Sequence, residues 1–219
     1  MRVERLAHGR VELALHTLVE STFGPRPLLW LHALGGSTPS DARSEVATWP
    51  GSIFGLDFTG HGVSSLPKGG GYTAEVLMSD VDAALARLGP ATVIGEGVGA
   101  YVALLIAGAR PERVRGAVLC DGPGLAGGGP WPGPARIPLP GPGEVGPPDP
   151  FAVVELCADV RPSDYAASYL SLALAGSGLP RPLSLCARER PPWLQALVGA
   201  PGARVTTVVE ALRYYAGVE

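Results

Sequence analysis

No histidine follows His61 in this 219-residue sequence, and a single lysine, Lys68, stands among its 17 basic residues. The first absence bears on any proton relay that draws its imidazole from the later part of a chain. Three cysteines, Cys120, Cys157 and Cys186, cannot all pair, and each lies in an apolar segment, which predicts buried thiols in a reducing compartment. No Cys or His pair has ligand spacing, so no metal is expected. The net charge is −3 with no basic run, which argues against nucleic acid as a partner. Apolar stretches such as "AYVALLIAGA" reach only about half the length that crosses a bilayer. The opening "MRVERLAHGR" is charged where a signal peptide is apolar. These absences predict a cytoplasmic protein with no cofactor and no membrane contact.

What is present suits a single globular domain over 1–219: 46% hydrophobic residues and a mean hydropathy of +0.22. Glycine and proline are concentrated unevenly. Of 31 glycines and 23 prolines, 19 fall within the 29 residues 122–150, "GPGLAGGGPWPGPARIPLPGPGEVGPPDP". That density predicts an irregular insertion serving as a cover or a mobile loop, followed by a helical cap segment over 151–178. Elsewhere the pattern is regular. "VERLAHGRVELALHTL" alternates about a His-Gly turn, as an antiparallel hairpin does. The runs "PLLWLHAL", "SIFGLDFTG", "ATVIGEG", "VRGAVLCDG", "RPLSLCAR" and "ARVTTVVE" read as buried strands. Helical spacing appears in "YTAEVLMSDVDAALARLG", "GAYVALLIAGARPE", "DPFAVVELCADV" and "SDYAASYLSLALAG". Alternating strand and helix specify an α/β fold, a mostly parallel sheet of about eight strands with helices on both faces.

In such sheets function gathers at the carboxyl ends of the strands. There the third, fourth and fifth runs lead into "HALGGS" (His32 to Ser37), "DFTGHGVSS" (Asp57 to Ser65) and "GEGVG" (Gly95 to Gly99). The three motifs in this order resemble the α/β-hydrolase superfamily, whose counterparts read H-G-x-G-G-S, D-x-x-G-H-G-x-S and G-x-S-x-G. The resemblance runs from about Val3 to Tyr215. It implies an α/β-hydrolase fold with a reduced, Gly/Pro-rich cap. It also implies a nucleophile elbow whose apex needs small residues two places to either side. Gly95 and Gly99 flank Gly97 in that way, so the apex is Gly97, and Glu96 is not a shifted nucleophile. Glycine there removes the attacking hydroxyl while suiting the positive φ of the turn. The family's acid and histidine would follow the last two strands, where this chain reads "CARERPPW" and "VVEALRYYAG". Serine-hydrolase activity is therefore not expected.

The resemblance leaves backbone groups in place: the oxyanion amides correspond to Leu34 and Val98, beside the positive end of a helix. Trp131, Phe151, Tyr165 and Tyr169 are candidates to line a pocket above them. The candidate side chains for proton chemistry are Glu96, His32 and Asp121. His32 equally suits a structural role in the oxyanion loop, and Asp121 a loop cap. Asp57, His61 and Ser64 suit a self-satisfied turn. The leading expectation is a non-hydrolytic homologue that binds a small apolar carbonyl or carboxylate compound or a protein partner. One alternative is a lyase, isomerase or cyclase using Glu96, His32 or Asp121. Another is a structural subunit whose cap pairs with a second chain.

Overall fold

The computed structural model describes residues 2–125, 146–157 and 162–218. Strands β1 (Arg2–His8) and β2 (Val11–Val19) form the expected hairpin. They are followed by β3 (Leu28–Leu31), β4 (Ile53–Asp57), β5 (Ala91–Glu96), β6 (Val114–Cys120), β7 (Leu183–Leu185) and β8 (Ala203–Val205). All eight join one sheet in the order β1-β2-β4-β3-β5-β6-β7-β8. β2 pairs antiparallel with β1 and β4, and every other pairing is parallel. Because helices cover both faces, the central strands are buried on both sides and read as continuous apolar runs. All four residues of β3 are buried.

Helices α1 (Ala74–Leu88) and α2 (Val98–Ala109) cover one face together with α4 (Ser163–Gly176) and the short α5 (Pro192–Gln195). A 3-10 turn at Val46–Thr48 and α6 (Val208–Ala216) cover the other, around Trp30, Ile94 and Val118. α2 is buried almost all round, so it carries no polar stripe. α1 begins at an N-cap, where the Thr73 side chain accepts from the Val76 amide, and ends at Gly89 with φ 79°.

One sequence expectation changes. "ARVTTVVE" is a strand only as far as Val205. Thr207 and Glu210 form a capping box that starts α6, so the last apolar residues of that run belong to a helix. α4 packs on α2, with Tyr169 against Gly108, and its Ala166, Leu170 and Ala173 enter the main core. Tertiary packing decides here, because helical spacing alone does not say which partner an apolar face meets. Helix α3 (Pro150–Cys157) is tied to the loop before α1: Glu155 accepts from the Gly71 and Tyr72 amides at 2.8 and 2.6 Å. The Tyr72 hydroxyl donates to Asp149 at 2.6 Å. Most of the insertion 122–150, with Trp131, lies outside the described residues.

Candidate functional site: a glycine elbow and its occupant

β5 ends at Glu96, and the chain turns at Gly97, with φ 56° and ψ −120°, directly into α2. The turn is tight enough to restrict its neighbours. A Cβ at Gly95 would collide with the Gly99 carbonyl, and one at Gly99 would meet the carbonyl oxygens of Leu31 and His32 at 2.6 and 2.7 Å. Small residues two places to either side of Gly97 are thus a steric requirement.

Beside the turn, the backbone after β6 crosses as a strap, Asp121 to Leu125. Cys120 accepts a hydrogen bond from the Gly97 amide at 3.2 Å. The Pro123 carbonyl oxygen then accepts from two amides, Val98 at 3.0 Å and Leu34 at 3.1 Å. These are the two amides for which the motif resemblance implies an oxyanion hole. Two amide hydrogens converging on one oxygen at about 3 Å is the geometry by which such a hole holds a carbonyl. Here the carbonyl belongs to the chain itself. A Cβ on Gly97 would collide with that same oxygen, so the missing side chain and the occupying carbonyl share one space. Gly124, at φ 79°, brings the strap in close. A Cβ there would lie 2.8 Å from the Leu34 Cβ and 2.9 Å from the Val98 Cβ.

The candidate side chains are dispersed around this turn, and each has partners. His32 is buried. Its Nδ1 donates to the Ala33 carbonyl at 2.7 Å, leaving Nε2 to accept from the Phe58 amide at 3.1 Å. Burial and the neighbouring His61 push its pKa down to about 3, so it is a neutral imidazole with both nitrogens engaged. Asp121 accepts from the amides of Arg188 and Glu189, both at 2.8 Å, and caps the loop after β7. Glu96 meets Arg43 at 2.6 Å, and the Arg43 guanidinium lies 5.2 Å from the Trp30 ring centre. Burial raises the Glu96 pKa, while the charge and hydrogen bond of Arg43 act against the rise.

In the turn after β4, Asp57 and Ser64 are fully engaged, whereas the buried His61 Nε2 has no hydrogen-bond partner among the described residues. Asp57 accepts from His16 at 2.9 Å and from the amides of Thr38 and Val63 at 2.7 and 2.9 Å. Burial alone would push this carboxyl up, but these hydrogen bonds outweigh it and hold the pKa at about 2. Ser64 donates to the Asp57 carbonyl at 2.6 Å and accepts from the Ala14 amide at 2.8 Å. The His61 amide donates to the Phe58 carbonyl at 2.9 Å.

The aromatic lining expected over Gly97 does not assemble among the described residues. Phe151 is 56% exposed in the first turn of α3. Tyr165 donates to Glu75 at 3.1 Å and lies 3.2 Å, hydroxyl to hydroxyl, from Tyr169. Tyr169 in turn packs on Gly108, at the opposite end of α2 from Gly97. Helical packing of α4 draws both tyrosines away. Sequence reasoning also missed Pro123, because any residue can supply a carbonyl and nothing in the residue type says where it points. It missed that Glu96 and Cys120, paired at the ends of β5 and β6, and Cys186, one residue past β7, fall side by side, which becomes visible only once the register is known. No group of three or more His, Cys, Asp or Glu among the described residues could hold a metal ion. No helix there is long and apolar enough to cross a membrane.

No family model matches the sequence, and no curated protein does. Solved structures do match. A thioesterase domain from the curacin biosynthetic pathway aligns over 99% of this chain and 98% of its own, at 16% identity and a TM-score of 0.63. A hydrolase from Pseudomonas aeruginosa PA01 aligns over 99% and 98%, at 19% identity and a TM-score of 0.61. The alignment with the enol-lactonase from Burkholderia xenovorans LB400 is partial. It spans 53% of this chain and 46% of that one, at 25% identity and a TM-score of 0.48.

Proposed function

This chain has the α/β-hydrolase fold, and we propose that it is a non-hydrolytic member that acts by binding rather than by acyl transfer. One observation carries the reading. The amides of Leu34 and Val98 both spend their hydrogens on the Pro123 carbonyl, in the space a nucleophile's Cβ would need. Hydrolysis requires a nucleophile with a base in reach. Gly97 supplies no nucleophile, and no histidine follows His61. Between the two kinds of ligand, the occupied amides favour a protein partner. A small carbonyl or carboxylate compound must first expel the Pro123 carbonyl, whereas a surface contact leaves it in place.

The second reading, proton transfer in a lyase, isomerase or cyclase reaction, draws support from Glu96, whose carboxyl is raised by burial at the carboxyl end of β5. Against it stands the Arg43 guanidinium, which favours the charged carboxylate.

The test combines labelling with amide exchange. A fluorophosphonate probe is expected to leave the protein unlabelled, and the Leu34 and Val98 amides to exchange slowly with solvent deuterium. Stoichiometric labelling of any serine overturns the non-hydrolytic reading. A screen of esters, ketones and carboxylic acids by thermal shift separates the ligand classes. A compound that raises the melting temperature and perturbs the Leu34 and Val98 amide resonances moves the proposal from a partner to a small molecule.

A further inference from the structure

β5, β6 and β7 run parallel, and their last rung faces the same side of the sheet as Trp30 and α6. Glu96 is registered against Cys120. Cys186 stands one step beyond the Leu119 and Leu185 pair, its amide donating to the Leu119 carbonyl at 2.8 Å, which sets it beside Cys120 on the neighbouring strand. Both sulfurs are free, neither residue is fully buried, and the Cys186 side chain is near enough to raise the Cys120 thiol. Neighbouring strands lie about 4.8 Å apart, within the Cα separation a disulfide spans without backbone movement. The loop carrying Cys186 is held in place from the Cys120 side, since Asp121 accepts from the Arg188 and Glu189 amides just beyond it.

We propose that Cys120 and Cys186 form an oxidisable dithiol, a modification site closed to an intramolecular disulfide by a low-molecular-weight disulfide. Cys186 attacks first. Its thiolate displaces one sulfur of the small disulfide, giving a mixed disulfide and releasing one small thiol. Cys120, after losing its proton to water, then attacks the Cys186 sulfur and releases the second small thiol. The protein gives up two electrons and two protons, and the small disulfide takes them as two thiols. The order follows from the charges. The hydrogen bond with Cys186, burial and the nearby carboxylates of Glu96 and Asp121 all hold the Cys120 thiol well above the ordinary range. Cys120, its ionisation opposed by these neighbours, serves as the resolving partner. The third thiol is set apart: Cys157 is buried in α3, and its sulfur donates to the Val154 carbonyl at 3.2 Å.

The test equilibrates the full chain with glutathione buffers of rising oxidised fraction, then acid-quenches, alkylates and maps peptides by mass spectrometry. The unmodified protein is expected to lose two of its three free thiols together, with a linked pair of peptides carrying Cys120 and Cys186. Cys157→Ser is expected to behave in the same way. Cys120→Ser should hold a stable glutathione adduct on Cys186, and Cys186→Ser should stay largely unmodified. Three free thiols at the most oxidising ratio, or a linkage through Cys157, overturns the proposal. Mapping of the unmodified chain decides this without any variant.

Discussion

The Pro123 carbonyl oxygen lies 3.0 Å from the Val98 amide nitrogen, in the space that a Cβ on Gly97 would occupy. The two features depend on each other. Without the glycine the strap could not settle on the turn, and without the strap two amides at the mouth of α2 would lack this acceptor.

Gly97→Ser is therefore expected to destabilise the fold by more than backbone strain alone. A side chain at φ 56° costs about 1–3 kcal/mol, and displacing the Pro123 carbonyl adds the loss of two hydrogen bonds at about 1 kcal/mol each. The variant should still fail to hydrolyse aryl esters. Denaturant titration checks the stability, and a variant as stable as the parent would remove the steric argument.

Gly124→Ala tests the strap while leaving Gly97 unchanged. The added Cβ would crowd both Leu34 and Val98 at a φ of 79°, so the strap should lift and the two amides lose their acceptor. Deuterium exchange at Leu34 and Val98 is expected to speed up at least tenfold, about 1.4 kcal/mol of lost protection, while amides of the β5 core stay protected. Unchanged exchange at both positions contradicts the assigned occupancy.

A third expectation concerns pH. The Asp80 carboxylate accepts from the Thr59 amide and hydroxyl at 2.8 and 2.9 Å, but burial outweighs these bonds and lifts its pKa to about 7. A carboxyl raised in the folded state stabilises below its unfolded pKa of about 3.9 and loses that contribution as pH climbs to about 7. Asp80→Asn removes this titration. Relative to the parent, the variant should gain stability between pH 4 and pH 8, on the order of a few kcal/mol. His32, held down to about 3, works in the opposite sense, losing its contribution as pH falls from about 6.5, and Asp57 does so as pH falls from about 4 towards 2. The difference between variant and parent isolates Asp80 from both. A constant difference across pH 4–8 would mean that Asp80 titrates as an ordinary carboxylate.

Arg43→Ala should raise the Glu96 pKa further, because burial remains while the opposing charge goes. Carbon-13 NMR titration of the glutamate carboxyls reads this directly. A Glu96 that titrates no higher without Arg43 would show that the ion pair does not govern its charge.

The sheet was legible in the sequence because buried parallel strands leave continuous apolar runs and the hairpin leaves alternation. The error at β8 is instructive, since Thr207-Val208-Val209-Glu210 has both the apolar content of a strand and the cap spacing of a helix start, and the cap prevailed. The elbow was legible for a steric reason: only glycine fits at Gly95 and Gly99. Its occupant was not, because a carbonyl has no residue signature. Nor was the thiol rung, since Cys120 and Cys186 are far apart in the chain and are brought together only by the pairing of β6 with β7.

The strap also sets a scale for any outside ligand. Pro123 is joined to the elbow through β6, so its carbonyl reaches the Leu34 and Val98 amides as an intramolecular ligand, at an effective concentration of at least about millimolar for even a flexible tether. A free carboxylate or ketone at micromolar concentration would have to bind roughly a thousandfold more tightly than this tethered carbonyl to displace it from half the molecules. The Leu34 and Val98 amides are saturated from within the chain.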